Sequence, residues 1–366
     1  SRRYRTAPAV AMSVAAAMSQ RQHTTMMIVP TGVGAAIGGY AGDALPVARA
    51  IATVTDRLIT HPNVLNGAQL YWPLANAYYV EGYGLDQFAA GRWHLQPVHQ
   101  NAIGLVFDQA GEADLRWRHL QAADAARATL GLNITGHVTT DAPLGVQLSQ
   151  AQAATWGTLE RPDSLLRAVA HLLQSGCTAI AVIARFPDDG DSDALTAYRQ
   201  GQGVEPRAGA EAVISHLVVR QFQVPCAHAP ALLPLALDPT ISPRSAAEEL
   251  GYTFLPCVLA GLSRAPQFVA TAQAHSISAS EVDALVVPAS SLGGSAVLSL
   301  SGTATQIIAV EDNTTCLTVG AAALGLNVVT VQSYLEAIGA IAAQRAGIAA
   351  SALRPQILPL QSLLHP

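Results

Sequence analysis

Short apolar runs and longer helical repeats alternate along this chain. Residues 26–29 (MMIV) form an apolar run closed by Pro30. Runs of the same kind recur at 177–186 (CTAIAVIARF), 282–290 (VDALVVPAS) and 305–313 (TQIIAVEDN). Unbroken apolar runs of strand length suit parallel strands covered on both faces. Residues 56–63 (DRLITHPN) read as another strand. Between these runs, 44–54, 162–176, 208–222 and 333–347 carry helical spacing, and 293–302 (GGSAVLSLSG) a short helix. Pro46 suits a first helical turn, and Gly176 and Gly347 suit helix ends. The alternation predicts an α/β fold with largely parallel sheets and flanking helices.

An internal echo bears on how those units combine. Residues 28–63 and 286–313 each show Val-Pro, then a Gly-Gly pair (38–39 and 293–294), a helix, and a strand closed by Asn63 or Asn313. Duplication would give two pseudo-symmetric, Rossmann-like halves facing one cleft; coincidence also produces a match this short. The length of 366 residues is enough for two domains. A polar stretch at 149–164 sets the expected boundary, with domains over 25–155 and 156–366 and a tail over 1–24.

Composition narrows the chemistry. All 20 basic residues are arginine, which excludes a Schiff-base lysine, a Ser–Lys dyad and a P-loop lysine. The net charge of −5 and the lack of a basic, aromatic-interleaved run argue against nucleic acid. Charged residues make up 12% of the chain, about half the ~25% of ordinary soluble domains. Surface buried in a homo-oligomer or an Ala-rich composition bias explains that equally well. Cys177, Cys226, Cys257 and Cys316 are too scattered for a disulfide framework or a zinc ribbon. No apolar run is long enough for a transmembrane segment. The opening 23 residues hold four arginines and no acid, as an organelle transit peptide or an ordinary disordered tail would.

Candidate chemistry gathers at expected strand ends. Thr31, Gly34, Gly38 and Gly39 follow the first run and precede a helix. A backbone nest there would hold a phosphate or carboxylate, and a tight structural turn would use the same glycines. The dinucleotide fingerprint is broken, because Ile37 stands where its third glycine belongs. Gly293, Gly294 and Ser295 form the second such loop. His61, Asn63 and Asn66 stand at the end of a predicted strand, where open α/β sheets bind ligands. Tyr71, Trp72, Tyr78, Tyr79 and Tyr83 read as a pocket wall or as packing. His228 is a candidate base, and Cys226 a candidate nucleophile or a buried thiol. His216, Cys226 and His228 lack usual zinc spacing, so no metal is assigned. Arg185 and Arg220 are candidate anion ligands. The acid-rich loop at 188–193 reads as a Mg²⁺ site or a solvated loop. Glu311 and Asn313 end the last clear strand, and Asp43 or Glu311 would orient a histidine.

The strings IVPTGVGAAIGGYAGDALPVARAIA, LITHPNVLN, GAEAVISHLV, AHAPAL and SAAEELGYTFLPCVLAGLSRAP resemble a functionally uncharacterised family. It is common in cyanobacteria and occurs in photosynthetic eukaryotes. The resemblance covers about residues 26–350 and implies a plastid-targeted copy of a cyanobacterial-type protein; it supplies no activity, cofactor or site residue. The leading expectation is a soluble stromal enzyme acting on a small anionic metabolite, with His61 and His228 in proton transfer. The alternative is a non-catalytic binding or assembly protein of the photosynthetic apparatus. Convergence of His61, Asn63, His228 and Glu311 in one pocket would favour the enzyme.

Overall fold

The computed structural model describes residues 21–66, 70–151, 154–188, 193–249 and 255–361. Its strands are β1 (Thr24–Met27), β2 (Arg57–Thr60), β3 (Ala77–Tyr79), β4 (His94–Gln96), β5 (Ile103–Phe107), β6 (Ile134–Thr139) and β7 (Val146–Ala151). They continue with β8 (Ala154–Leu159), β9 (Ala179–Ile183), β10 (Cys226–His228), β11 (Gln267–Val269), β12 (Val282–Pro288), β13 (Gln306–Val310) and β14 (Val329–Val331). The helices are α1 (Leu45–Ala52), α2 (Pro62–Leu65), α3 (Gly82–Ala89), α4 (Ala113–Leu130), α5 (Pro162–Gln174) and α6 (Asp193–Arg199). After them come α7 (Ala208–Phe222), α8 (Pro243–Ala247), α9 (Leu255–Ser263), α10 (Ser295–Ser301), α11 (Ala321–Leu324) and α12 (Tyr334–Arg345).

Six strands form a wholly parallel sheet in the order β14-β13-β12-β1-β2-β3. Numbered along the chain within this sheet, that is the 3-2-1-4-5-6 order of doubly wound nucleotide-binding folds. The strand order reverses between β1 and β12, and the glycine-rich loop leaves β1 at that point. A second parallel sheet, β10-β9-β5-β6, is inserted between β3 and β12. The apolar runs are explained by burial: β1, β5 and β9 are buried at every position.

The echo has a structural counterpart. Its two Val-Pro segments end neighbouring central strands, with Met27 paired to Val286 and the Ile28 N–H donating to the Val286 carbonyl at 3.0 Å. The expected division at 155/156 does not hold. It falls inside β8, and both sheets draw strands from both sides of it. The polar stretch taken for a boundary is part of the antiparallel β7–β8 hairpin, which packs on α7. The tail also ends earlier than expected: His23 is buried, and Thr24 is the first residue of β1. Residues 1–20 lie outside the described residues. Both hydrophobic clusters contain residues of both parallel sheets, so the sheets share their cores.

Candidate functional site

The loop between β1 and α1 is held from three sides. Asn63 donates from Nδ2 to the Gly38 carbonyl. Asn313 accepts from the Ile37 N–H at 2.8 Å and donates to the Ile37 carbonyl at 2.9 Å. Each asparagine stands three residues beyond its strand, after Thr60 in β2 and after Val310 in β13. The two halves of the sheet therefore clamp one loop. From the inserted region, Glu248 accepts from the Ala41 N–H at 3.0 Å. Gly38 has φ +90°, and a Cβ on Gly39 would stand 2.2 Å from the Ala35 carbonyl oxygen.

These contacts change the expected role of the loop. An anion nest offers unpaired amides, but here the Gly38 N–H already donates to Asp43 Oδ1 at 2.6 Å. Asp43 is the loop's own anion, and its other oxygen accepts from Arg244 Nη1 at 2.6 Å. Burial pushes the Asp43 carboxyl up, against the opposing pull of Arg244 and the Gly38 amide. Asp43 therefore serves the loop and orients no histidine.

A cavity of about 500 Å³ opens beside this loop. It is lined by Gly34, Ala35, Ala36 and Tyr40 of the loop and by Gly201, Gly203, Ser242, Pro243 and Arg244 of the inserted region. Glycines 34, 201 and 203 and alanines 35 and 36 among the lining residues allow a ligand to approach the main chain closely. Arg244 is the charged group among the lining residues and is partly exposed, whereas Asp43 behind it is buried. Tyr40 is fixed by stacking on Tyr198 at 4.4 Å and by donating its hydroxyl to the Tyr198 carbonyl at 2.9 Å. Behind that stack, burial pushes Glu248 up to about 7.

Of the residues expected here, Gly34 lines the cavity. His61 is buried, and its Nε2 accepts from the Val29 N–H at 3.1 Å. Burial lowers its pKa to about 4, so it is a neutral pin for the end of β1 and not a proton carrier at neutral pH. Asn66 is buried and accepts from the Tyr79 hydroxyl at 2.8 Å. Glu311 is exposed, whereas Asn313 is buried and spent on the Ile37 backbone. Arg185 is committed to Glu112 and Asp188, and Arg220 is exposed on the last turn of α7. Thr31 is exposed on the loop. Gly293, Gly294 and Ser295 are exposed, and Asp86 of α3 accepts from the Ala296 amide just beyond them. Tyr71 and Trp72 are exposed, with Arg49 3.5 Å over the Trp72 ring, so the aromatic residues do not line the cavity. Asp189 and Asp191 of the acidic loop lie outside the described residues. Among the described residues, no group of three or more His, Cys, Asp or Glu is placed to hold a metal ion.

Two buried acid clusters were not legible. Glu81 ends the β3 segment and caps α3, accepting from the amides of Tyr83 and Gly84. Burial pushes it up to about 8, and His216 Nε2 lies 3.2 Å away. Glu205, Arg207 and Glu211 surround the start of α7, where Glu211 holds His228 Nε2 at 2.9 Å. His228 thus has a carboxylate partner in Glu211, whereas His61 pins the Val29 amide, Asn63 holds the Gly38 carbonyl and Glu311 is exposed. Glycine at 201 and 203 ahead of Glu205-Pro206-Arg207 was the available signal.

No helix among the described residues is long and apolar enough to cross a membrane. No solved structure matches this chain. It is 61% identical over 351 residues to an uncharacterized lipoprotein of Synechococcus sp., an alignment covering 95% of this chain and 98% of the relative. A family model described as "Protein of unknown function (DUF3326)" matches residues 24–354. The chain belongs to this DUF3326 family, with a cyanobacterial relative.

Proposed function

We propose that the protein is a soluble plastid enzyme acting on a small anionic metabolite bound in the cavity beside the β1–α1 loop. One observation carries this reading: a cavity of about 500 Å³ lies beside the loop that leaves β1, with Arg244 as the charged group on its wall. A ligand phosphate or carboxylate would meet the guanidinium from the open side. Asp43 holds that guanidinium in place from behind. The plastid location is supported by the Arg-rich, acid-free opening segment and the cyanobacterial relative. That relative's name contains the word lipoprotein, so membrane fractionation distinguishes a soluble from an attached form.

The separate commitments of His61 to Val29, Asn63 to Gly38 and His228 to Glu211 favour a second reading, a non-catalytic binding or assembly protein of the photosynthetic apparatus. Native mass spectrometry of the protein from its own organism separates the two. A discrete small-molecule adduct, lost in Arg244→Gln, is expected. A bare chain that co-purifies with another protein would replace the first reading by the second.

A further inference from the structure

Several arginines of this protein spend the same edge of the guanidinium in the same way. Arg167, Arg185 and Arg199 each grip one carboxylate through Nε and Nη2. Arg167 meets Asp141 at 2.6 and 2.8 Å, Arg185 meets Glu112 at 2.8 Å through both nitrogens, and Arg199 meets Glu249 at 2.8 and 3.2 Å. That edge presents two parallel N–H donors, which match the two oxygens of a carboxylate.

Arg244 departs from this pattern. Its carboxylate partner, Asp43, sits on Nη1 at 2.6 Å. Among the described residues, nothing accepts from Arg244 Nε or Nη2. Arg127 also uses Nη1, on Asp124, but it does so on the exposed last turn of α4. Arg244 lines the cavity, and its side chain is 45% exposed against 4% for Asp43. Asp43 is itself fixed, because its Oδ1 accepts from the Gly38 N–H. The Nη1 corner is thus spent on a buried, immobilised partner, which leaves the Nε–Nη2 edge as the polar edge available to a ligand. Both donors belong to one rigid planar group, so a single carboxylate reaches both.

Charge decides between the two anions that such an edge accepts. A phosphate monoester carries about −1.5 to −2 at neutral pH, and a carboxylate carries a single charge. Arg244 is the charged group among the lining residues, and its charge is already shared with Asp43. A phosphate dianion would remain largely uncompensated beside the Asp43 carboxylate. The other lining residues are glycine, alanine, proline, serine and tyrosine, which match an uncharged ligand body.

We propose that the Nε–Nη2 edge of Arg244 is a carboxylate-binding fork, so that the ligand is a small monocarboxylate with an uncharged body. This rests on the reading of the Arg244 cavity as an anion site and narrows its ligand class from phosphate or carboxylate to carboxylate.

The test is titration of the intact protein with butanoate and with propyl phosphate, which carry the same propyl chain. Binding is read from the arginine Nε–H signals in NMR, the Arg244 signal being identified by its loss in Arg244→Gln. Butanoate should move that signal and bind at least about tenfold more tightly than propyl phosphate, as expected for paired charge-assisted hydrogen bonds. Arg244→Lys keeps the charge and removes the fork, and should lose about tenfold in butanoate affinity; the wild-type comparison gives the answer even where that variant does not fold. Propyl phosphate binding as tightly as butanoate, with the Arg244 signal moving, would overturn the proposal and leave the anion site standing. So would an Arg244→Lys protein that binds butanoate as tightly as wild type. An Arg244 signal unmoved by both probes would overturn both readings.

Discussion

The loops that follow β1 and β12 begin from one sequence pattern and reach opposite ends. Both leave a central strand through Val-Pro and carry a Gly-Gly pair before a helix. The first is covered by the inserted region and clamped by Asn63, Asn313 and Glu248. The second lies open to solvent, and a Cβ on Gly294 would meet nothing within 4 Å. The residues just beyond β2 and β13 differ in the same way: His61 is buried against the Val29 amide, whereas Glu311 is exposed. A glycine pair states what the backbone is free to do, and the residues packed on it decide whether that freedom is needed.

The largest expected effect is at Gly39, where a Cβ would collide with the Ala35 carbonyl. Gly39→Ala should cost about 3 kcal/mol or more in urea unfolding, because the obstruction is backbone. A fully stable Gly39→Ala protein would remove the distinction between the two loops. Next is His61, whose pKa lies at about 4 in the folded protein against 6.5 ordinarily. Below pH 6.5 the unfolded chain takes up a proton that the native state refuses, so stability falls as pH drops toward 4. The total is up to about 3 kcal/mol. His61→Gln should lack this component of the acid limb in unfolding midpoints measured against pH; matching slopes in the two proteins would contradict a buried neutral imidazole.

The asparagine clamp comes third. Asn313 is fully buried and also donates from Nδ2 to the Tyr334 hydroxyl at 2.7 Å. Asn313→Ala should cost about 2–3 kcal/mol and Asn63→Ala about 1 kcal/mol; the reverse order would mean that the β2 side holds the loop. The smallest effect is Gly294→Ala, within about 0.5 kcal/mol of wild type by thermal unfolding, as for other exposed positions.

The parallel α/β architecture was legible because its cause is local: continuous burial leaves apolar runs, and helices with one covered face leave a periodic pattern. The helix expected over 208–222 is α7, and the strand expected at 282–290 contains β12. The site was much less legible. Arg244 and Gly203 lie far along the chain from Gly34, and they meet it only through the inserted region. His61 reads as a proton carrier because a histidine at a strand end is compatible with catalysis; full burial, which reverses that role, belongs to the packed protein. The polar stretch at 149–164 misled because a hairpin with an exposed face has the composition of a linker.

The placement of the insertion also governs how the chain can be assembled. β1 finds one neighbour in β2 a few dozen residues away, but its other neighbour is β12, with Thr24 opposite Val282. During synthesis or threading through a translocation pore, one edge of β1 waits until most of the polypeptide has emerged. An uncovered apolar edge strand invites pairing with other chains, and such long-range closure is slow. A nascent chain stalled before β12 would therefore be the species that chaperones must shield, and the inserted sheet, whose strands all lie between β3 and β12, could form while that gap was still open.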